Sequence, residues 1–459
     1  MTGVVSAIFW GVVVLSLLVF VHEGGHYLAA RACGVRVTEF FLGMPCRVKL
    51  SHKSKDHGTE IGVTPILLGG YTRICGMENS TDELLGAALM VVQRAGRIAV
   101  SDLASQLGCD VDRAYGLLAT LADWATVRPY YDPALGEHEG QSDWPASFET
   151  LRRDASLRTE YDRGHDFSQA GTTNYGEPRD PGMSVDEFLA RERGRTYLGC
   201  GFWRRCAMLL AGPAVNLLVA LVVVTASFMV MGVQAASNEP VIGSVSPGSF
   251  AEAAGIEAGD RITAVDGEAI STYDDLVAAI KPYLESGTDF TLDYERDGST
   301  FETTVNLVDG QAAEYLGITN QAYTYYPSLG QALRGSVAYG GLVAENAVKL
   351  IVPTHTMEVL DQSSSVVGIS VMASEAASAG VPTLAFFIGA ISMSLGFMNL
   401  LPIPPLDGGK ILIEIIQAIS RRQVSARAQT IVSYAGLAFF LFVFVVAMRN
   451  DIVTFVIGG

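Results

Sequence analysis

Four long apolar runs, separated by polar stretches, set the pattern of this chain. One extends from about residue 4 to 21 without a charge before His22, and others occupy 206–233, about 381–401 and about 431–448. A helix rises about 1.5 Å per residue and the bilayer core is about 30 Å thick, so each run is long enough to cross. The first is read as a span rather than a cleaved leader, because Met1-Thr2-Gly3 offers no basic n-region and no small-residue cleavage site follows. Between the runs the period changes. Val35–Phe41 and Thr59–Ile66 alternate as strands do. Asp82–Ala95 is helical in period, Arg97–Val100 is strand-like, Ser101 caps a short helix to Leu107, Asp110 opens a helix to about Trp124, and Thr126–Tyr131 forms another strand. The polar, aliphatic-poor stretch 136–199 reads as a mostly disordered linker. Residues 235–320 hold short strands and glycine turns around a helix at Thr272–Leu284 and form an α+β domain; 321–380 reads as an amphipathic segment on the membrane surface.

Composition sharpens this picture. Only 17% of residues are charged and 49% are apolar, against about 25% charged in an average soluble domain, so a polytopic α-helical membrane protein with four transmembrane helices is predicted. The bases beside the spans are Arg31, Arg36, Arg47 and Lys49, then Arg204 and Arg205, then Lys410, Arg421, Arg422 and Arg427. With four spans all three clusters fall on one side, the cytoplasm of a plasma or inner membrane. The N-terminus, the α+β domain and the C-terminus then face outward and 79–199 faces the cytoplasm. Residues 237–320 carry 16 acids against three bases, so much of the net charge of −17 lies outside. A chain this acidic offers no field for a general nucleic-acid binder. Six cysteines without a CxxC pair exclude a disulfide scaffold and a zinc ribbon.

Candidate chemistry lies at the edges of two spans. His22-Glu23-Gly24-Gly25-His26 puts two imidazoles at i and i+4 on one helix face with a carboxylate beside them, the pattern of metal-assisted peptide hydrolysis with Zn²⁺ held by His22 and His26 and Glu23 as base. Three ionisable groups at a span's edge are costly unless they serve a site. A catalytic zinc takes three protein ligands and keeps one open position. The third apolar run ends in Asn399-Leu400-Leu401-Pro402-Ile403-Pro404-Pro405-Leu406-Asp407-Gly408-Gly409, whose prolines break the helix, and Asp407 is the candidate third ligand. The alternatives are a helix N-cap for Asp407 and an interhelical hydrogen bond for Asn399.

With Ala211-Gly212-Pro213-x-x-Asn216 opening the second run, these motifs resemble the site-2 protease family of intramembrane zinc metalloproteases, close to the bacterial regulator-of-sigma-E proteases, over about residues 1–78 and 200–459. The resemblance implies zinc bound by His22, His26 and Asp407, water activated by Glu23, and substrate backbone placed by Asn399, Pro402 and the Gly69-Gly70-Tyr71 end of the Leu68–Tyr71 stretch. It further implies a membrane-associated β-hairpin over 34–78 and single-span substrates, such as tethered anti-sigma factors or remnant signal peptides, unwound by pairing with a strand edge for which Val35–Phe41 and Thr59–Ile66 are candidates. The α+β domain is similar to a PDZ domain, with Tyr315-Leu316-Gly317-Ile318 as its carboxylate loop, and is expected to bind a peptide, to act as a size filter or to serve as a spacer. Residues 79–135 resemble a winged helix-turn-helix; Asp110-Val111-Asp112-Arg113 is too acidic for a DNA reader, which leaves a cytoplasmic protein partner, a sensing role or an inert spacer. Where the family has a Gly-Pro-x-Gly-Ile-like stretch this chain reads Val366-Val367-Gly368-Ile369. The competing class is a non-catalytic membrane scaffold that binds partners through the two added domains.

Overall fold

The computed structural model describes residues 2–67, 69–78, 82–141, 143–307, 312–361, 363–422 and 424–453; Leu68 and the end of the C-terminal tail lie outside the described residues. The chain divides into two compact units, 1–224 with 335–459, and 225–334.

The first unit opens with α1 (Thr2–Ala32), which leads into β1 (Val37–Leu42), β2 (Leu50–Lys53), β3 (Glu60–Val63) and β4 (Gly70–Ile74). These form one sheet in the order β2-β3-β1-β4, with β1 parallel to β3 and antiparallel to β4. The expected hairpin is therefore a four-stranded sheet. Its additional strand β2 is exposed at every position, so it carries no apolar alternation to betray it. Both alternating segments are interior strands, and the edges are β2 and β4.

The insert follows as α2 (Leu85–Ala95), β5 (Arg97–Ala99), α3 (Val100–Leu107), α4 (Val111–Asp123), β6 (Val127–Tyr130), β7 (Ser147–Thr150) and α5 (Val185–Arg193). Asp110 caps α4 by accepting from Arg113 N, whereas α3 starts from Ala99 and holds Ser101 inside it. The polar stretch expected to be disordered is structured. It supplies β7, the central strand between β5 and β6, and fully buried Phe148 and Phe188 in the core with Leu89, Leu103, Leu118 and Leu121. It also supplies charges that are buried in pairs. Arg36, with no exposed surface, binds Asp162 (2.7 Å) and Glu192 (2.8 Å) and donates to the carbonyls of Trp124 and Ala125 (3.1 Å each), while Arg153 binds Glu192 (3.0 Å). A segment ordered by ion pairs and two aromatic anchors lacks the aliphatic signature of a core.

α6 (Phe202–Met231) runs on into the second unit, which by itself consists of β8 (Val233–Ala236), β9 (Ile242–Val245), α7 (Phe250–Ala253), β10 (Arg261–Val265), β11 (Glu268–Ala269), α8 (Tyr273–Ser286), β12 (Phe290–Arg296), β13 (Ser299–Val305), β14 (Ile318–Asn320) and β15 (Ala322–Tyr325). The sheet β11-β10-β12-β13 and α8 enclose Ile262, Leu276, Phe290 and Leu292; β9 pairs with β14 and β8 with β15. Thr272 and Asp275 form a capping box that starts α8.

The chain then forms α9 (Leu329–Leu350), α10 (Thr356–Asp361), α11 (Val366–Ala379), α12 (Val381–Leu400), α13 (Asp407–Ser420) and α14 (Ala426–Ile452). Among the described residues four helices, α1, α6, α12 and α14, are long and apolar enough to span a membrane. The segment expected on the membrane surface ends instead in a helix packed beside a span. α11 sets Ala373 and Ala376 against Val14 and Leu18 of α1, and Gly11 leaves room for Ser370. Asp451 near the end of α14 accepts from Ser365 N (2.7 Å) and Gly368 N (2.9 Å) and so caps α11.

Candidate metal and catalytic site

α1 and α6 cross where both lack side chains. A Cβ on Gly25 would meet the Ala211 carbonyl, and one on Gly212 would strike the rings of both His22 and His26. The two glycines let the helices approach closely enough for α6 to back the imidazoles. Asp407 arrives from the other side at the first turn of α13, after the chain leaves α12 through Pro402, Pro404 and Pro405. Gly408 and Gly409 pack directly on the backbone of 400–404, and Gly436 of α14 packs on the Pro404 carbonyl from behind. That turn is thereby fixed on two sides.

Three donor atoms converge. His22 Nε2 and His26 Nε2 each lie 3.1 Å from Asp407 Oδ2 and 3.2 Å from one another, and all three residues are buried, between 6% and 8% exposed. Among the described residues they are the one group of three with metal-ligand spacing. The outer nitrogens fix how the rings can serve. His26 Nδ1 donates to Met208 O (2.8 Å), which leaves its Nε2 lone pair facing the centre. His22 Nδ1 faces the amide of buried Asn216 at 3.3 Å, and Asn216 Oδ1 has no partner. Turning that amide brings Oδ1 to Nδ1, which keeps the proton there and frees the His22 Nε2 lone pair as well. Three converging lone pairs repel one another unless a cation lies among them, and two nitrogens with one carboxylate oxygen suit Zn²⁺. The residues present fit the group.

A cavity of about 310 Å³ opens on this centre. Glu23, Asn399 and Tyr71 line it, as do Thr72, Met208 and Lys410, and Lys410 Nζ lies 3.6 Å from Asp407 Oδ1. Thr72 Oγ1 donates to the Glu23 carbonyl (3.0 Å) and ties edge strand β4 to the helix that carries the histidines. Gly70 is close enough that a Cβ there would lie 3.8 Å from Glu23 Cγ. The remaining expected residues are not brought to the wall: Gly69 sits beside Met44, and Pro402 is exposed. Asn399 donates within its own helix to Leu395 O (3.0 Å) and leaves its amide oxygen available. Sequence reasoning missed Thr72 and the buttressing by Met208; the first lies in an edge strand too short to show a period, and the second acts through a backbone carbonyl that any residue type supplies.

The model of peptidase family M50 matches residues 10–443. The regulator of sigma-W protease RasP of Bacillus subtilis is 26% identical over 96% of this chain and 97% of its own length. The zinc metalloprotease RasP of Geobacillus kaustophilus is 27% identical over 97% of each chain.

Proposed function

Because the chain belongs to peptidase family M50 and is a multi-pass membrane zinc metalloendopeptidase, we propose that His22, His26 and Asp407 hold its zinc, that Glu23 is its general base, and that it cleaves single-span membrane proteins. The observation that carries the site assignment is the convergence of three lone-pair donors to within 3.2 Å at the floor of a cavity that Glu23 also lines. Zinc bound there supplies Lewis acidity toward a water and a peptide carbonyl. The Met208 carbonyl keeps a proton on His26 Nδ1, and Asn216, with its amide turned so that Oδ1 faces His22, would do the same for His22 Nδ1, so that both histidines present lone pairs inward. The Glu23 carboxylate takes a proton from the attacking water and returns it to the amine that leaves when the C–N bond breaks. A substrate helix in lipid has no free backbone groups, so it must first be extended. β4 is suited to hold the extended chain, because it is a sheet edge, its Tyr71 and Thr72 line the cavity, and pairing with it would keep a strand beside Glu23. Gly70 and Asn399 would help to place that strand, with Gly69 just before β4 and Pro402 just after α12 supporting them.

Tethered anti-sigma factors and remnant signal peptides are the substrate classes we assign; the sigma-W regulator among the relatives favours the first. The unit 225–334 is read as a PDZ-like outer domain that filters substrates by size, with its sheet, α8 and the Tyr315–Ile318 loop in support. The insert is read as a winged-helix-like cytoplasmic domain for a protein partner, supported by the α2-β5-α3-α4-β6 order and a third strand β7.

The test is cleavage of a tagged single-span reporter by the purified protein, with zinc assayed alongside. Glu23→Gln is expected to lose cleavage by roughly 10²–10⁴-fold or more while keeping its zinc, and Asp407→Ala to lose both. Equal cleavage by Glu23→Gln and the parent would overturn the assignment of the base.

A further inference from the structure

A second cavity, about 860 Å³, lies behind the catalytic one and is not needed for peptide hydrolysis. It forms where three helix ends meet: the start of α6 at Phe202 and Arg205, the end of α13 at Ala418 with Arg421 and Arg422 just beyond it, and the first turns of α14 from Gln429 to Tyr434. Its walls are of two kinds. Phe202, Ile413, Ala418 and Tyr434 make an apolar side continuous with the spans, while Arg205, Lys410, Arg421 and Arg422 make a basic rim against two acids, Glu78 and Glu414. Glu414 is already engaged, by Arg205 (3.1 Å) and by the Tyr197 hydroxyl (3.1 Å). Among the described residues Arg421 and Arg422, both exposed at the rim, have no carboxylate partner, and Arg205 Nε is buried without an acceptor. Trp203, 81% exposed at the start of α6, is the kind of amphipathic aromatic that sits at headgroup level, and Tyr434, 67% exposed in the third turn of α14, lies deeper along the apolar side.

We propose that this cavity binds an anionic phospholipid of the cytoplasmic leaflet, its phosphate held by Arg421, Arg422 and Lys410 and its acyl chain laid along the apolar wall. An apolar wall joined to a basic rim at the membrane end of three helices matches both parts of such a lipid, whereas a soluble anion would use the rim alone. The seat adjoins the active site: Met77, Tyr197, Pro405 and Lys410 line both cavities, and Lys410 is the cation nearest Asp407. A headgroup there would draw Lys410 away from Asp407, so occupancy would bear on catalysis without any contact to substrate.

The experiment is native mass spectrometry of the full chain released from nanodiscs containing phosphatidylglycerol or phosphatidylcholine, with the dissociation constant for phosphatidylglycerol measured by titration. The parent should retain one phosphatidylglycerol and no phosphatidylcholine. Arg421→Gln with Arg422→Gln should weaken binding roughly thirtyfold, about fivefold per base, and Ala418→Trp, which fills the apolar side and keeps every charge, should also displace the lipid. The control Arg47→Gln with Arg204→Gln removes two bases of the same membrane side that lie outside the cavity and should change nothing. Displacement by glycerol phosphate alone would overturn the lipid in favour of a soluble phosphate site. Equal loss in the control pair would overturn the cavity in favour of diffuse attraction, and crosslinking of a reporter's flank at residue 418 in place of lipid would assign the cavity to substrate.

Discussion

Asn216 shows how much of this site depends on a residue that touches no substrate. Buried completely and 3.3 Å from His22 Nδ1, its amide is placed to set which nitrogen of that ring carries the proton, according to which end faces the ring. If its amide oxygen accepts from Nδ1, Asn216→Leu removes the acceptor and should weaken zinc binding roughly 10–100-fold, the usual cost of losing such a support. Asn216→Asp keeps an acceptor and should hold zinc far better. Competition with a chelator of known affinity measures both, and equal affinity in the leucine and aspartate variants would show that the amide does not orient the ring. Gly25 and Gly212 belong to the same scale. Their lack of a side chain is what lets α1 and α6 bring the imidazoles and their support together, yet in the sequence each is one more small residue in an apolar run.

At the scale of elements, what was legible depended on whether an element announces itself by period. The spans, α1 with its histidines among them, show as unbroken apolar runs and α2 to α4 as apolar periods, and all lie close to their expected positions. β2 is exposed throughout and β4 has five residues, so neither has a buried face to read, and the free edge was sought in β1 and β3, which prove to be paired on both sides. The stretch 136–199 misled for a different reason: its order comes from charge pairing. Burial alone would raise the Asp162 carboxyl, but the Arg36 guanidinium, bound through two nitrogens, and Arg195 hold it well below the usual carboxylate range. A carboxyl depressed by folding contributes stability that is fully present above its unfolded value of about 4 and is lost as pH falls below that. The insert is therefore expected to loosen selectively in acid, with amide exchange rising in 147–193 between about pH 4 and pH 2 before it rises in the spans. Arg36→Met removes the cation that Asp162 and Glu192 share and leaves Asp162 to Arg195 and Glu192 to Arg153, and should cost up to about 3–5 kcal/mol at neutral pH. Uniform exchange in the two regions would show that the cluster does not set the insert's stability.

For the whole molecule the open question is which side of the membrane each unit faces, and the cysteines allow a direct answer. All six lie in segments that the distribution of bases assigns to the cytoplasmic side: Cys33, Cys46, Cys75, Cys109 and Cys200, with Cys206 within the first turns of α6. The unit 225–334 has none, so a single cysteine placed there reports alone. Glu285, 68% exposed near the end of α8 and among the described residues paired only with Lys281, one turn earlier, at 3.8 Å, tolerates replacement at little cost because an exposed pair of this kind contributes little. In intact cells a membrane-impermeant maleimide should leave the parent unlabelled and label Glu285→Cys, and permeabilisation should then expose half-buried Cys109 in the insert. The opposite pattern, with Cys109 labelled in intact cells and position 285 protected, would place the insert outside and reverse the assignment of bases to the cytoplasm. It would also move the basic cavity at the ends of α6, α13 and α14 to the outer leaflet, so this labelling decides which leaflet must supply its lipid.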